Sequence, residues 1–365
     1  MPIVQILVFI VGVVIVIATL LSAVRTFIVP RSQQDGLSRA VFVATRFFFN
    51  LANRTARTWL DRDRVLAFYA PIGLLMLVPV WLTLIAFGYA CMFWATGTPE
   101  WYDAFRNSGS ALLTLGFAPV AGLPQTVLSF TEAMIGLLLI ALLIAYLPSM
   151  YSAFQRRELA VTLLEVRAGS PPSAVEMIER FQRIHGFERL TEMWQRWEEW
   201  FADVEESHTS LVALVFFRSP VPSRHWVTAA GAVLDGAALA ASTLDIPRNP
   251  QAELCIRAGY LALRAIADFF NIPYDPNPRP TDPIKITRAE YDAACDRLAT
   301  KGISLKADRD QCWRDFAGWR VNYDTVLLAL CDIVSAPPAM WSSDRSKGFL
   351  RELRRNHVRL DGSGR

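Results

Sequence analysis

Three stretches of this chain run without a charged side chain for at least the thickness of a bilayer core. Residues 3–24 are almost unbroken Ile, Val, Leu, Phe and Ala, with Gln5 the one strongly polar side chain. Residues 65–99 run 35 positions without a charge, and residues 133–155 run 23. About 20 apolar residues in a helix cross the hydrocarbon core, so each stretch reads as a membrane span. The chain as a whole is 53% hydrophobic, and most of the excess lies in the first 150 residues. The fold class expected is an all-α membrane protein, with three transmembrane helices followed by a mostly α-helical cytosolic domain. A cleavable leader is disfavoured for the first run, because no basic residue precedes it and its apolar core is too long.

Charge sets the orientation. Residues 25–64 hold eight Arg against three Asp, and loops rich in Arg and Lys stay on the cytoplasmic side. The expected placement is the cell membrane, with the N-terminus outside and the C-terminal domain cytosolic. Within that loop, residues 39–60 mix Arg39, Arg46, Arg54 and Arg57 with Phe42, Phe47, Phe48, Phe49 and Trp59. This pattern suits an amphipathic helix on the inner leaflet, and a soluble connecting helix remains open. Pro71 and Pro79 mark expected kinks in the second span. In the third, Gly136 near the outer end and Pro148 near the inner end are candidate gating hinges. Arg156 and Arg157 stop that span on the cytosolic side.

The second and third spans leave both ends of residues 103–124 on the outer face. That piece is too short and polar to cross twice. A short helix over 103–113 and a glycine-containing return solve the problem. Backbone without regular structure survives at membrane depth only where protein buries it or water lines it. One such hairpin cannot enclose a pore, so four chains around an axis are implied. The returning piece reads Thr114-Leu115-Gly116-Phe117-Ala118-Pro119. Its first four residues resemble the Thr-Val-Gly-Tyr-Gly filter, or its Thr-Ile-Gly-Phe-Gly variant, of bacterial two-transmembrane pore-loop potassium channels. The resemblance covers residues 65–155, with residues 131–147 similar to an inner helix. It breaks at Ala118, where the family has glycine, and at Pro119, where an aspartate is usual.

The resemblance implies a pore-loop channel, a homotetramer, with potassium as the permeant ion and no other cofactor. Backbone carbonyls of Thr114, Leu115, Gly116 and Phe117 would replace the ion's water shell, with Ala118 closing the filter. At Ala118 an L-residue in left-handed geometry would cost about 1–2 kcal/mol. Pro119 removes an amide donor and the family's bracing carboxylate.

The domains expected are a first transmembrane helix (1–29), a cytosolic connector (30–64), a channel-like pore domain (65–155) and a helical cytosolic domain (156–336). A basic, flexible tail (337–365) follows. Within the helical domain, Leu190, Trp194, Trp197, Phe201 and Val204 fall on one helical stripe and read as core. Helices are expected over 224–243, 249–270, 287–300 and 308–333, and 211–217 is the best strand candidate.

Net charge is +3, and residues 151–365 balance 28 basic against 28 acidic side chains. No basic field is available for nucleic acid. The histidines at 185, 208, 225 and 357 show no metal spacing, and no glycine-rich phosphate loop is present. Glu205, Ser207 and His208 are adjacent in sequence, which suits a helix end better than a triad. Cys91, Cys255, Cys295, Cys312 and Cys331 form no CxxC pair and read as reduced, mostly buried thiols. The expectation is therefore not an enzyme but a tetrameric cation channel in contact with membrane lipid, carrying a regulatory domain. A non-conducting membrane sensor or scaffold with the same fold is the alternative.

Overall fold

A computed structural model describes residues 2–29, 35–56 and 58–362. It is all-α, and among the described residues the one β-bridge pairs Leu244 with Leu305. The helical stretches Ile3–Phe27, Trp59–Ala95 and Leu123–Ala168 are long and apolar enough to cross a membrane, and they mark a multi-pass membrane protein. The chain divides into two compact units, Met1–Ser152 and Ala153–Arg365.

In the first unit, α1 (Pro2–Phe27) lies along α4 (Tyr69–Ala95). Gly12 and Gly88 face each other there, and a Cβ on either would overlap the other's carbonyl oxygen. Paired glycines let two apolar helices bring their backbones together, which is how association proceeds where lipid is as apolar as the side chains. At the end of α1, Trp81 Nε1 donates to Ser22 Oγ at 3.1 Å, and Ser22 Oγ donates to Asp35 at 2.5 Å. Asp35 also caps α2 (Gly36–Ala52) by accepting the Ser38 amide at 2.8 Å. Residues 39–60 do not form the one helix expected. The chain leaves α2 through a 3₁₀ turn at Asn53–Thr55, and Thr58 opens α3 (Trp59–Ala67) with a capping box to Asp61. Residues 30–34 and 57, which belong to the expected connector, lie outside the described residues. Pro71 falls in the first turn of α4, where amides have no intrahelical acceptor, and Pro79 lies inside the helix.

The second unit takes in the end of α6 (Leu123–Ala168) and eight further helices. These are α7 (Ala174–Arg183), α8 (Leu190–Ser210), α9 (Trp226–Ser242), α10 (Pro250–Phe269), α11 (Arg288–Thr300), α12 (Arg309–Arg320), α13 (Asp324–Val334) and α14 (Phe349–Gly362). The stripe on α8 is core, with Trp194, Phe201 and Val204 wholly enclosed. Small residues make α9 narrow enough for α7, α10, α12 and α13 to pack around it. All five cysteines are free and buried.

Three segments depart from the sequence reading. Residues 211–217 are no strand but carry a 3₁₀ helix, Val212–Phe216. Arg157, fully buried, donates to the carbonyls of Leu214 and Phe217 at 2.7 and 2.8 Å, so a side chain takes the place of a partner strand. Residues 308–333 are two helices, because Arg320 and Tyr323 both turn inward onto Asp235 and break the run between them. The tail beyond 337 holds α14, and the Asp332 carboxylate receives the amide of Gly348 just before it and of Leu350 in its first turn, at 3.0 and 3.1 Å.

His208 and His225 are buried beside Trp226. Arg157 can only donate, so His208 Nε2 accepts from it at 3.1 Å, and Nδ1 carries the hydrogen toward Ser207 Oγ at 3.0 Å. Burial, then the Arg157 charge, push His208 well below the ordinary value of 6.5. Burial, then Arg218, Arg157 and His208, do the same to His225. The unfolded chain therefore binds more protons than the folded one as pH falls below about 6.5. Stability is complete above that value and is lost on acidification, by about 1.4 kcal/mol per pH unit for each histidine. Melting followed by circular dichroism between pH 7.5 and 5.5 should show this fall. A His225→Gln variant should show roughly half the slope.

Candidate functional site

The site is built on α5 (Trp101–Leu112) and the ten residues that follow it. The helix begins two residues earlier than the sequence suggests and buries Ala104, Asn107, Ser108, Ser110, Ala111 and Leu112 against its neighbours. Ser108 is the anchor. Its Oγ reaches the Ala86 carbonyl of α4 at 2.9 Å and Glu132 Oε1 of α6 at 2.5 Å. Glu132 is itself fully buried, and its Oε2 has no hydrogen-bond partner among the described residues. Four residues on, the α5 end rests on Gly136, where a Cβ would overlap the Leu112 carbonyl oxygen. Gly136, the candidate hinge, thus sits at a close approach inside continuous helix. Pro148 also lies within α6.

Beyond α5 the backbone folds back on the helix end. The amides of Leu115 and Gly116 both point at the Ser110 carbonyl, at 2.8 and 3.4 Å, and Thr114 N donates to Ala111 O at 3.0 Å. Ala118 N donates to Ser110 Oγ at 3.1 Å. Thr114 and Gly116 are left-handed, at φ +55° and +69°. Consecutive amides converge on one acceptor when residues of opposite hand alternate, as in the backbone concavities whose amides cradle anions. A peptide group is planar and trans, so its carbonyl opposes its amide. The carbonyls of Leu113, Thr114, Leu115 and Phe117 therefore face away from the end of α5.

Thr114, Leu115, Gly116 and Phe117 are exposed, and Ala118 is half-buried. The strain expected at Ala118 is absent, since its φ is not positive. Thr114 carries it instead, at about 1–3 kcal/mol for an L-residue held there. The left-handed turn falls just past the helix end, where Thr114 N closes onto Ala111 O. Ser108, Ser110 and Glu132 were not singled out from sequence. Two small hydroxyls in the last turns of an amphipathic helix, and the one acid at the head of a charge-free run, were the available signals.

Replacing Glu132 by alanine should lower the stability of the first unit by about 1–3 kcal/mol, the cost of stripping a buried hydrogen-bonded group. Glutamine, which keeps an acceptor for Ser108, should lose less. Melting of the two variants in detergent checks the order, and equal loss would show that the volume and acceptor kept by glutamine do not substitute for the carboxyl group.

The fold and the site together define an all-α, multi-pass membrane protein with a helix-and-return segment between two long apolar helices. No protein-family model, curated protein or solved structure matches the chain. Among the described residues no group of His, Cys, Asp and Glu is placed to hold a metal.

Proposed function

We propose that the protein is a homotetrameric pore-loop channel that conducts cations, potassium by preference, across the cell membrane. Residues 114–118 of each chain line the axis, and the carbonyls of Thr114, Leu115, Gly116 and Phe117 bind the ion, with Ala118 at the outer end. The N-terminus is outside and the helical second unit is cytosolic. One observation carries this reading: the amides of Thr114, Leu115, Gly116 and Ala118 are tied to the end of α5, which turns the carbonyls of Leu113, Thr114, Leu115 and Phe117 away from it. A row of backbone carbonyls facing one way is what dehydrated potassium requires. The C-terminal end of α5 adds the negative pole of its dipole close by.

The test is flux from liposomes holding the purified full-length protein, first under a potassium gradient and then under a sodium gradient. Potassium flux well above sodium flux is the expected result. Equal fluxes would mean a pore without selectivity. Absence of flux for both ions would favour the second reading, a membrane sensor that keeps the fold without conducting, which the Ala118-Pro119 end of the segment supports.

A further inference from the structure

We propose that a cavity in the second unit binds an amphiphilic anion, an apolar chain or ring that carries a phosphate or carboxylate. The cavity measures about 760 Å³, within the range of about 300–1,000 Å³ usual for small-molecule sites. Four pieces of chain converge to form it: the last turns of α6, α7, the 3₁₀ turn Phe187–Arg189 and α8. Its floor is apolar and buried, made by Leu164, Phe181, Met193 and Trp197. Leu163, Val166 and Ile184 continue the apolar surface outward, and Ile184 is 66% exposed.

Around this floor stand Arg167, Arg180, Arg183, Arg189 and Arg196, against the single carboxylate of Glu192. Two of the five have structural work. Arg180 pairs with Glu176 and donates to the Glu165 and Val166 carbonyls, closing the end of α6, and Arg167 donates to Leu163 O at 3.0 Å. The side chains of Arg183, Arg189 and Arg196 make no hydrogen bond or ion pair with any other described residue. They come from α7, the 3₁₀ turn and α8, and all three stand exposed on the rim of the one cavity.

Guanidinium groups recognise phosphate and carboxylate through paired hydrogen bonds. Convergent cations repel one another until an anion arrives. A bare inorganic anion would satisfy the rim and leave the floor wet, while a neutral apolar molecule would cover the floor and leave the arginines unmatched. An amphiphilic anion matches both. The second unit is otherwise balanced in charge, so the site attracts by local arrangement, not by a general positive field. This site is separate from the proposed ion path, and its occupancy is measured without ion flux.

The test uses full-length protein in nanodiscs of phosphatidylcholine, with empty nanodiscs as the subtracted blank. Equilibrium dialysis measures octyl phosphate, dioctanoyl phosphatidate, inorganic phosphate and octanol. At least one of the first two should bind saturably, at one per chain and about tenfold or more tighter than phosphate or octanol. Each arginine lost should remove a charge-assisted hydrogen bond worth about tenfold in affinity. The exposed triple variant Arg183→Gln, Arg189→Gln, Arg196→Gln should therefore bind far more weakly while melting normally. Ile184→Asp tests the apolar wall and should weaken both amphiphiles. Binding of octyl phosphate alone would identify a soluble ligand, and binding of phosphatidate alone a lipid headgroup; either supports the proposal. No saturable binding, equal binding of inorganic phosphate, or an unchanged triple variant would overturn it.

Discussion

Substituting Gly116 by valine is expected to abolish potassium flux from liposomes while leaving the melting temperature close to that of the unaltered protein. The cause is conformational, not spatial. A Cβ built at Gly116 would meet nothing within 4 Å, but the residue sits at φ +69°. An L-residue there costs about 1–2 kcal/mol, and four copies around an axis would carry about 4–8 kcal/mol. A β-branched side chain lies at the upper end of that range. The chain can escape by turning φ negative, which swings the Gly116 amide off the Ser110 carbonyl and rotates the Leu115 carbonyl with it. Residues 114–117 are exposed, so the folded core scarcely registers the change. Ala118→Gly should do much less to flux, because Ala118 does not occupy the left-handed region. Flux through Gly116→Val equal to that of the unaltered protein would remove residues 114–118 from the conduction path.

The charge-free runs made the three long helices legible, because lipid forces backbone groups to pair within the segment and about 20 continuous apolar residues do so as a helix. The α8 stripe was equally legible, since large aromatic side chains at helical spacing have one way to be buried. Thr287 and Ser173 announce helix starts by the local chemistry that places them there, and each side chain accepts an amide of the first turn. Contacts between distant residues left no such trace. Nothing around Gly12 reveals that Gly88 will lie against it. The pattern Thr-Leu-Gly-Phe-Ala directs attention to the missing glycine at 118, but the left-handed residue it misses is Thr114. That conformation is set by Ser110, whose carbonyl and hydroxyl gather the amides of Leu115, Gly116 and Ala118. A hydroxyl inside a helix gives no sign of which amide it will receive. The same limit hid Arg157 behind Leu214 and Phe217, and so made a 3₁₀ helix look like a strand.

Replacing Arg320 by methionine is expected to cost the second unit about 3–5 kcal/mol, a fall in melting temperature of about 6–20 °C for a unit of this size. Arg320 is fully buried and all three of its nitrogens are engaged. Nε donates to Asp324 at 2.8 Å, Nη1 to Asp235 at 2.5 Å and Nη2 to the Trp341 carbonyl at 2.7 Å. Burial by itself lowers the affinity of the guanidinium for its proton. Asp235 and Asp324 outweigh it and hold Arg320 above the ordinary arginine range. Methionine fills the volume but leaves two carboxylates facing apolar surroundings. It also frees α12 from α9, from the start of α13 and from the Trp341 turn, all of which the guanidinium joins. Lysine should rescue little, because one ammonium cannot reach acceptors lying in three directions. Adding Asp235→Asn and Asp324→Asn to Arg320→Met should recover a large part of the loss, since the uncompensated charges go with the arginine. Tyr323 can still donate to the residue at 235, as it does now at 3.0 Å. Recovery in the triple variant would assign the loss to stranded charge. No recovery would assign it to the three-way link, which neither methionine nor asparagine can rebuild.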